Sequence, residues 1–133
     1  MSDDRVRVVL VDDHPVVLAG FRAMMERSAM ISLVAVTADA DEAIRMASIL
    51  RPEVMLVDLS LANGRRGPGL AKALLEVAPG TRLIVYTATE STDSLVQEVT
   101  EAGFSGFLSK DADLVEVEAC IGLVASGSDY FQR

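Results

Sequence analysis

Polar residues with chemical potential stand where apolar runs stop. Val54-Met55-Leu56-Val57 ends in Asp58, the run from Val6 to Val11 ends in Asp12-Asp13, a further run ends at Thr87 and another at Lys110. A short apolar run halted in this way reads as a strand buried on both faces. In open α/β sheets, ligand sites lie just outside the carboxyl ends of such strands. Taken singly, each residue has an ordinary explanation: an Asp that begins a turn or caps a helix, a strand-end threonine, a solvated lysine. Taken together, three carboxylates at one sheet edge would repel one another and raise each other's pKa unless a cation sits among them. The set therefore implies a metal. Ligation by carboxylates, a carbonyl and water suits Mg2+ far better than zinc, and the single His14 gives no multi-histidine site. Mg2+ in turn suggests phosphate. Asp58, unpaired in sequence, is the natural nucleophile. Lys110 would be a compact point charge for an anionic oxygen, in a chain where ten of the twelve basic residues are arginine. Thr87 would be a hydroxyl donor to a phosphoryl oxygen.

To position these residues the chain must alternate strands and helices, and its pattern does so five times. Strands are expected at Val6–Val11, Ile31–Val36, Val54–Val57, Arg82–Tyr86 and Phe104–Ser109. A helix starts at Pro15, which suits a first turn, and carries an apolar stripe at Val17, Phe21, Met24 and Met25. Asp39 or Asp41 caps a second helix with Ala40, Ala43, Ile44 and Ala47, which ends before Pro52. Gly64, Gly67, Pro68 and Gly69 mark a turn-rich loop before a short helix at Leu70, Leu74 and Val77. The next helix spans roughly Ser91 to Ala102 and stops at Gly103. Asp113 with Glu116 resembles a capping box for a last helix with Leu114, Val117, Ile121 and Val124 on one face. Alternation of this kind implies parallel strands joined by right-handed crossovers, hence an α/β fold with a five-stranded, doubly wound parallel sheet.

Composition sets bounds on the role. At 133 residues, with 50% hydrophobic and 24% charged residues, the sequence reads as one folded domain. Cys120 is the only cysteine, so no disulfide or thiolate metal site forms within one chain, and a reducing, cytoplasmic setting is expected. No stretch approaches the roughly 20 apolar residues of a membrane span. The formal charge of -8 argues against this domain gripping nucleic acid, which is held by clustered Lys and Arg.

At this point the sequence resembles the receiver domains of two-component response regulators. The resemblance covers nearly the whole chain and rests on Val8-Leu10-Val11-Asp12-Asp13-His14-Pro15, Val57-Asp58-Leu59, Tyr86-Thr87-Ala88 and Gly106-Phe107-Leu108-Ser109-Lys110-Asp111. The Asp-Asp-His-Pro start and the Lys-Asp ending are similar to the NarL/LuxR-type branch, whose members usually carry a C-terminal helix-turn-helix domain. The resemblance implies a flavodoxin-like (βα)5 fold in which Asp58 is the phosphoacceptor for a histidine kinase. It implies Mg2+ held by Asp12, Asp13, Asp58 and the backbone carbonyl of Ser60, with Lys110 and Thr87 on the phosphoryl oxygens. Phe107 would be a switch aromatic coupled to Thr87, and helix four, strand five and helix five would form the responding face, where a homodimer could assemble. Residues 1–126 would be the receiver, and 127–133 a tail or the start of a linker to an output domain that this chain lacks; DNA would be bound only through that domain, which the receiver would control to regulate transcription.

Three departures stand out. Ala62 replaces the family's usual proline four residues past the acceptor, and the loop through Asn63-Gly64-Arg65-Arg66-Gly67-Pro68-Gly69 looks about three residues longer. Phe107 stands where tyrosine is common. Asp111 follows the lysine where many receivers have proline. Ser60 and Thr89 occupy positions that tune phosphoryl lifetime in the family. Competing readings are a stand-alone receiver that signals through protein contacts or a receiver-like interaction module that is never phosphorylated, and a haloacid-dehalogenase-like phosphatase. The latter places its nucleophile on the first strand with a second Asp two residues on, where this chain has His14. Flavin binding is weaker still, since the first strand-to-helix turn lacks a phosphate-binding loop rich in Gly, Ser or Thr.

Overall fold

The computed structural model describes residues 4–59 and 67–131, with Gly67 and Pro68 described by backbone alone. Five strands alternate with five helices: β1 (Val6–Val11), α1 (Pro15–Glu26), β2 (Ile31–Thr37), α2 (Ala40–Leu50), β3 (Val54–Val57), α3 (Gly67–Val77), β4 (Arg82–Thr87), α4 (Asp93–Ala102), β5 (Gly106–Ser109) and α5 (Leu114–Ala125). All pairings are parallel, in the order β2-β1-β3-β4-β5. The chain therefore reverses its direction of travel across the sheet between β1 and β3, which makes the crevice beyond their carboxyl ends the topological switch point.

Side chains alternate across the sheet and split the core in two. Val9, Val11, Met55, Val57, Leu83, Val85 and Phe107 pack on one face with α2, α3 and α4. Val8, Leu10, Val54, Leu56, Ile84, Tyr86 and Leu108 pack on the other with α1 and α5. The period-2 geometry of a strand forces this division, and burial on both faces explains why the strands read as unbroken apolar runs. Each fully buried aliphatic side chain contributes about 1.5–3 kcal/mol relative to exposure.

Helix boundaries follow local chemistry. Asp39 caps α2 through Glu42 N–H, Thr92 caps α4 through Leu95 N–H, and Asp113 caps α5 through Glu116 N–H. The cap at Thr92 starts α4 at Asp93, two residues later than the apolar pattern suggests. Gly103 ends α4 at φ 106°, and a Cβ there would also lie 2.6 Å from Leu75 Cδ1. α3 begins at Gly67 rather than near Leu70, since Pro68 suits a first helical turn. β2 runs one residue further than expected, to Thr37. β5 starts at Gly106 rather than Phe104, whose N–H instead closes α4 on Val99 O at 3.0 Å.

Beyond α5, Gly127 turns the chain at φ 102° and the following residues run along the outer edge of β5. Tyr130 N–H donates to Ser105 O at 2.9 Å, and Phe107 N–H donates to Tyr130 O at 2.8 Å. Tyr130 packs against the α1/α5 layer and Phe131 against the other. The segment expected to begin a linker thus adds to the sheet as far as it is described.

Candidate functional site

Backbone pairing brings the site together. Val11 and Val57 are register partners, so Asp12 and Asp58 emerge side by side, with Asp58 N–H donating to Val11 O at 2.9 Å. Asp12 N–H donates to Thr37 O at 3.0 Å, and both aspartates are buried. Thr87 pairs in register with Ser109 at the ends of β4 and β5, and Lys110 N–H donates to Thr87 O at 2.9 Å. That bond anchors the base of the lysine, whose Nζ crosses the edge to lie 2.7 Å from Asp12 Oδ2 and 3.3 Å from Asp58 Oδ2.

Two buried carboxylates with Asp13 beside them demand compensation, because an uncompensated buried charge is strongly destabilising. Lys110 supplies one positive charge. Another contact is His14, whose Nδ1 lies 2.8 Å from Asp12 Oδ1, 3.3 Å from Asp13 Oδ1 and 3.4 Å from Asp58 Oδ2. Asp12 Oδ1 also accepts from His14 N–H at 2.8 Å, a local turn that fixes where the imidazole begins. The negative field reaches the core. Burial, then Asp12 and Asp111, push the Tyr86 hydroxyl up to about 12.

The structure thus brings together Asp12, Asp13, Asp58 and Lys110, and it places Thr87 on the same edge. The Thr87 hydroxyl oxygen accepts from Thr89 N–H at 3.1 Å and keeps its own proton to donate. Phe107 is buried in the α2/α3/α4 layer. It lines a cavity of about 660 Å³ with Thr89, Ser109, Asp111 and Tyr130. Ser60 and residues 61–66 of the long loop lie outside the described residues. The sequence assigned His14 no place in the site, yet the fold puts it among the carboxylates. The available signal was its place two residues after Asp12, the offset of an Asp side chain that turns its own backbone.

Asp12, Asp13, His14 and Asp58 each offer a ligand atom within 4.8 Å of the others, so the cluster could hold a metal ion. A doubly wound parallel sheet with a cation-ready acidic pocket at its switch point defines a flavodoxin-like α/β domain, and the strand-end Asp, Thr and Lys narrow it further. The chain belongs to the response regulator receiver domain family, which it matches over residues 8–121. Receiver domains are signalling domains rather than enzymes in the ordinary sense.

Among relatives, it is 30% identical over 132 residues to the transcriptional regulatory protein YxjL of Bacillus subtilis (strain 168), covering 99% of this chain and 60% of that one. It is 31% identical to the transcriptional regulatory protein LiaR of the same organism, over 92% of this chain and 57% of the relative. The chain thus spans about 60% of the length of the curated relatives it matches. Of solved structures, a LuxR-family two-component response regulator from Aurantimonas sp. SI85-9A1 superposes with a TM-score of 0.85 at 30% identity, over 95% of this chain and 89% of that one. The signal receiver domain of NarL from Mycobacterium tuberculosis gives 0.84 at 27% identity, over 93% and 98%. These likenesses place the chain with receivers of the NarL/LuxR type.

Proposed function

We propose that Asp58 accepts a phosphoryl group from the phosphohistidine of a histidine kinase and that the domain relays the event to an output domain. The observation that carries this reading is the convergence of Asp12, Asp13, Asp58 and Lys110 on one point at the β1/β3 crevice. The donors suit Mg2+. They are hard oxygens, and Asp12 Oδ2 is buried without a hydrogen bond of acceptable geometry despite the 2.7 Å approach of Lys110 Nζ. Asp12, Asp13 and Asp58, with the Ser60 carbonyl, would hold the ion, which when bound would neutralise charge on the transferring group.

The chain's own residues do the rest. An Asp58 carboxylate oxygen attacks phosphorus in line with the departing imidazole nitrogen. The P–O bond forms as the P–N bond breaks, the electron pair stays on the kinase imidazole, and the product is an acyl phosphate. Lys110, already 3.3 Å from Asp58 Oδ2, pairs with a phosphoryl oxygen of that product. The Thr87 hydroxyl donates to another, and its movement is passed to Phe107. With no hydroxyl at residue 107, the switch acts by packing alone. The readout is a population shift at the face of α4, β5 and α5, where a second copy of the chain would bind. The names of YxjL and LiaR support a role in transcription regulation; the protein would act in the cytoplasm and reach DNA through a separate domain.

The test is intact-mass spectrometry after incubation with acetyl phosphate and Mg2+. The reading expects a gain of one phosphoryl group that is lost in Asp58→Asn and on chelation of the metal. No gain in the wild type, or a gain that survives Asp58→Asn, would contradict it.

A further inference from the structure

His14 takes no part in the reading above, yet its Nδ1 is within 3.4 Å of one oxygen from each of Asp12, Asp13 and Asp58, and 3.3 Å from Lys110 Nζ. Carboxylate oxygens only accept, so the 2.8 Å contact with Asp12 Oδ1 is a hydrogen bond in the tautomer that carries its proton on Nδ1. In that tautomer Nδ1 is a donor set among acceptors, with no lone pair to offer an ion or the lysine. An ion bound to the same oxygens at about 2.1 Å needs the space between them, which the imidazole N–H fills.

α1 does not require the ring there. His14 is the N-cap residue of α1, but its side chain makes no capping bond to the helix. The side chain is 56% exposed, so rotation about its own bonds carries the ring out to water. Pro15 holds the first turn without it.

We propose that the imidazole of His14 and the divalent cation compete for one place between the three carboxylates, so that residue 14 sets the pocket's Mg2+ affinity. This rests on the reading that the ion binds among Asp12, Asp13 and Asp58. Binding then requires His14 to give up its bond to Asp12 and turn outward, and the energy of that bond is subtracted from the affinity. Substitution by alanine removes the competitor and leaves every carboxylate and Lys110 in place.

Calorimetric titration of Mg2+ into the wild type and His14→Ala tests the competition. About 3- to 10-fold tighter binding is expected in the variant, the equivalent of one modest hydrogen bond. His14 is the only histidine in the chain. Its ring resonances in NMR spectra of the wild type therefore report displacement directly, whatever the variant's folding. They should move to a solvent-exposed environment on saturation with Mg2+. Equal affinity in the two proteins, or ring signals unmoved at saturation, overturns the competition alone. Weaker binding in the variant does so too, by making His14 a ligand. Failure of both proteins to bind Mg2+ overturns the metal reading along with it.

Discussion

Cys120 shows what burial does to a single ionisable group. It is fully enclosed in the layer between the sheet and α5, and desolvation, then the Glu116 charge, push its thiol from 9.0 up to about 12. Since the thiolate is the reactive form, iodoacetamide at a pH near 9 should label the native protein far more slowly than the denatured one. Comparable rates would contradict the enclosure. The same shift has a consequence for stability. The raised folded-state pKa contributes stability that is complete below about 9, the unfolded value, and is lost as pH rises toward 12. Denaturation midpoints should fall over that window, and Tyr86, shifted from 10.0 to about 12, acts in the same direction at its upper end. Asp58, Thr87 and Lys110 were legible in the sequence because each stops an apolar run, and a strand end in a parallel sheet has one possible edge. The His14 ring was not. Its direction depends on the turn made by the Asp12 side chain, a rotamer-level event that no periodicity encodes.

Among the elements, β5 and its neighbour segment fit closely. A Cβ on Gly106 would stand 3.2 Å from Tyr130 O and Val124 Cγ2 and 3.3 Å from Ile84 Cγ1, so this glycine lets the C-terminal segment approach the strand. Gly106→Ala should destabilise the protein by about 1–3 kcal/mol through overpacking. Part of that penalty should vanish once residues 130–133 are removed, because one of the three crowded neighbours goes with them. Urea denaturation of the two single changes and their combination checks this, and strict additivity would contradict the contact. The helices were readable from their stripes, and of the caps, whose side chains each accept from the third residue on, Asp39 and Asp113 were among those expected while Thr92 was not. The pairing of Tyr130 with β5 was not readable. Gly127-Ser128-Asp129 is turn-like, and a single bridge formed by backbone groups leaves no apolar pattern.

At the scale of the molecule, five apolar runs separated by amphipathic helices are enough to specify the sheet. Strands buried on both faces must be covered on both sides, and right-handed crossovers then place α2, α3 and α4 on one face and α1 and α5 on the other. That topology puts the β1 and β3 ends together, which explains why residues 46 apart in sequence, Asp12 and Asp58, share one pocket. Among the described residues no helix is long and apolar enough to cross a membrane. The chain's charge of -8 argues against this domain gripping nucleic acid by itself, since phosphate backbones are held by clustered Lys and Arg.

The central claim is chemical, that a phosphoryl group resides on the Asp58 carboxylate as an acyl phosphate. Borohydride reduces such a mixed anhydride to the alcohol, turning the aspartate into homoserine, and leaves free carboxylates untouched. Reduction of the protein after acetyl phosphate and Mg2+ treatment, followed by peptide sequencing, should find homoserine at position 58 and unchanged aspartate at 12 and 13. Homoserine at another aspartate, or none despite a mass gain of one phosphoryl group, would contradict the account.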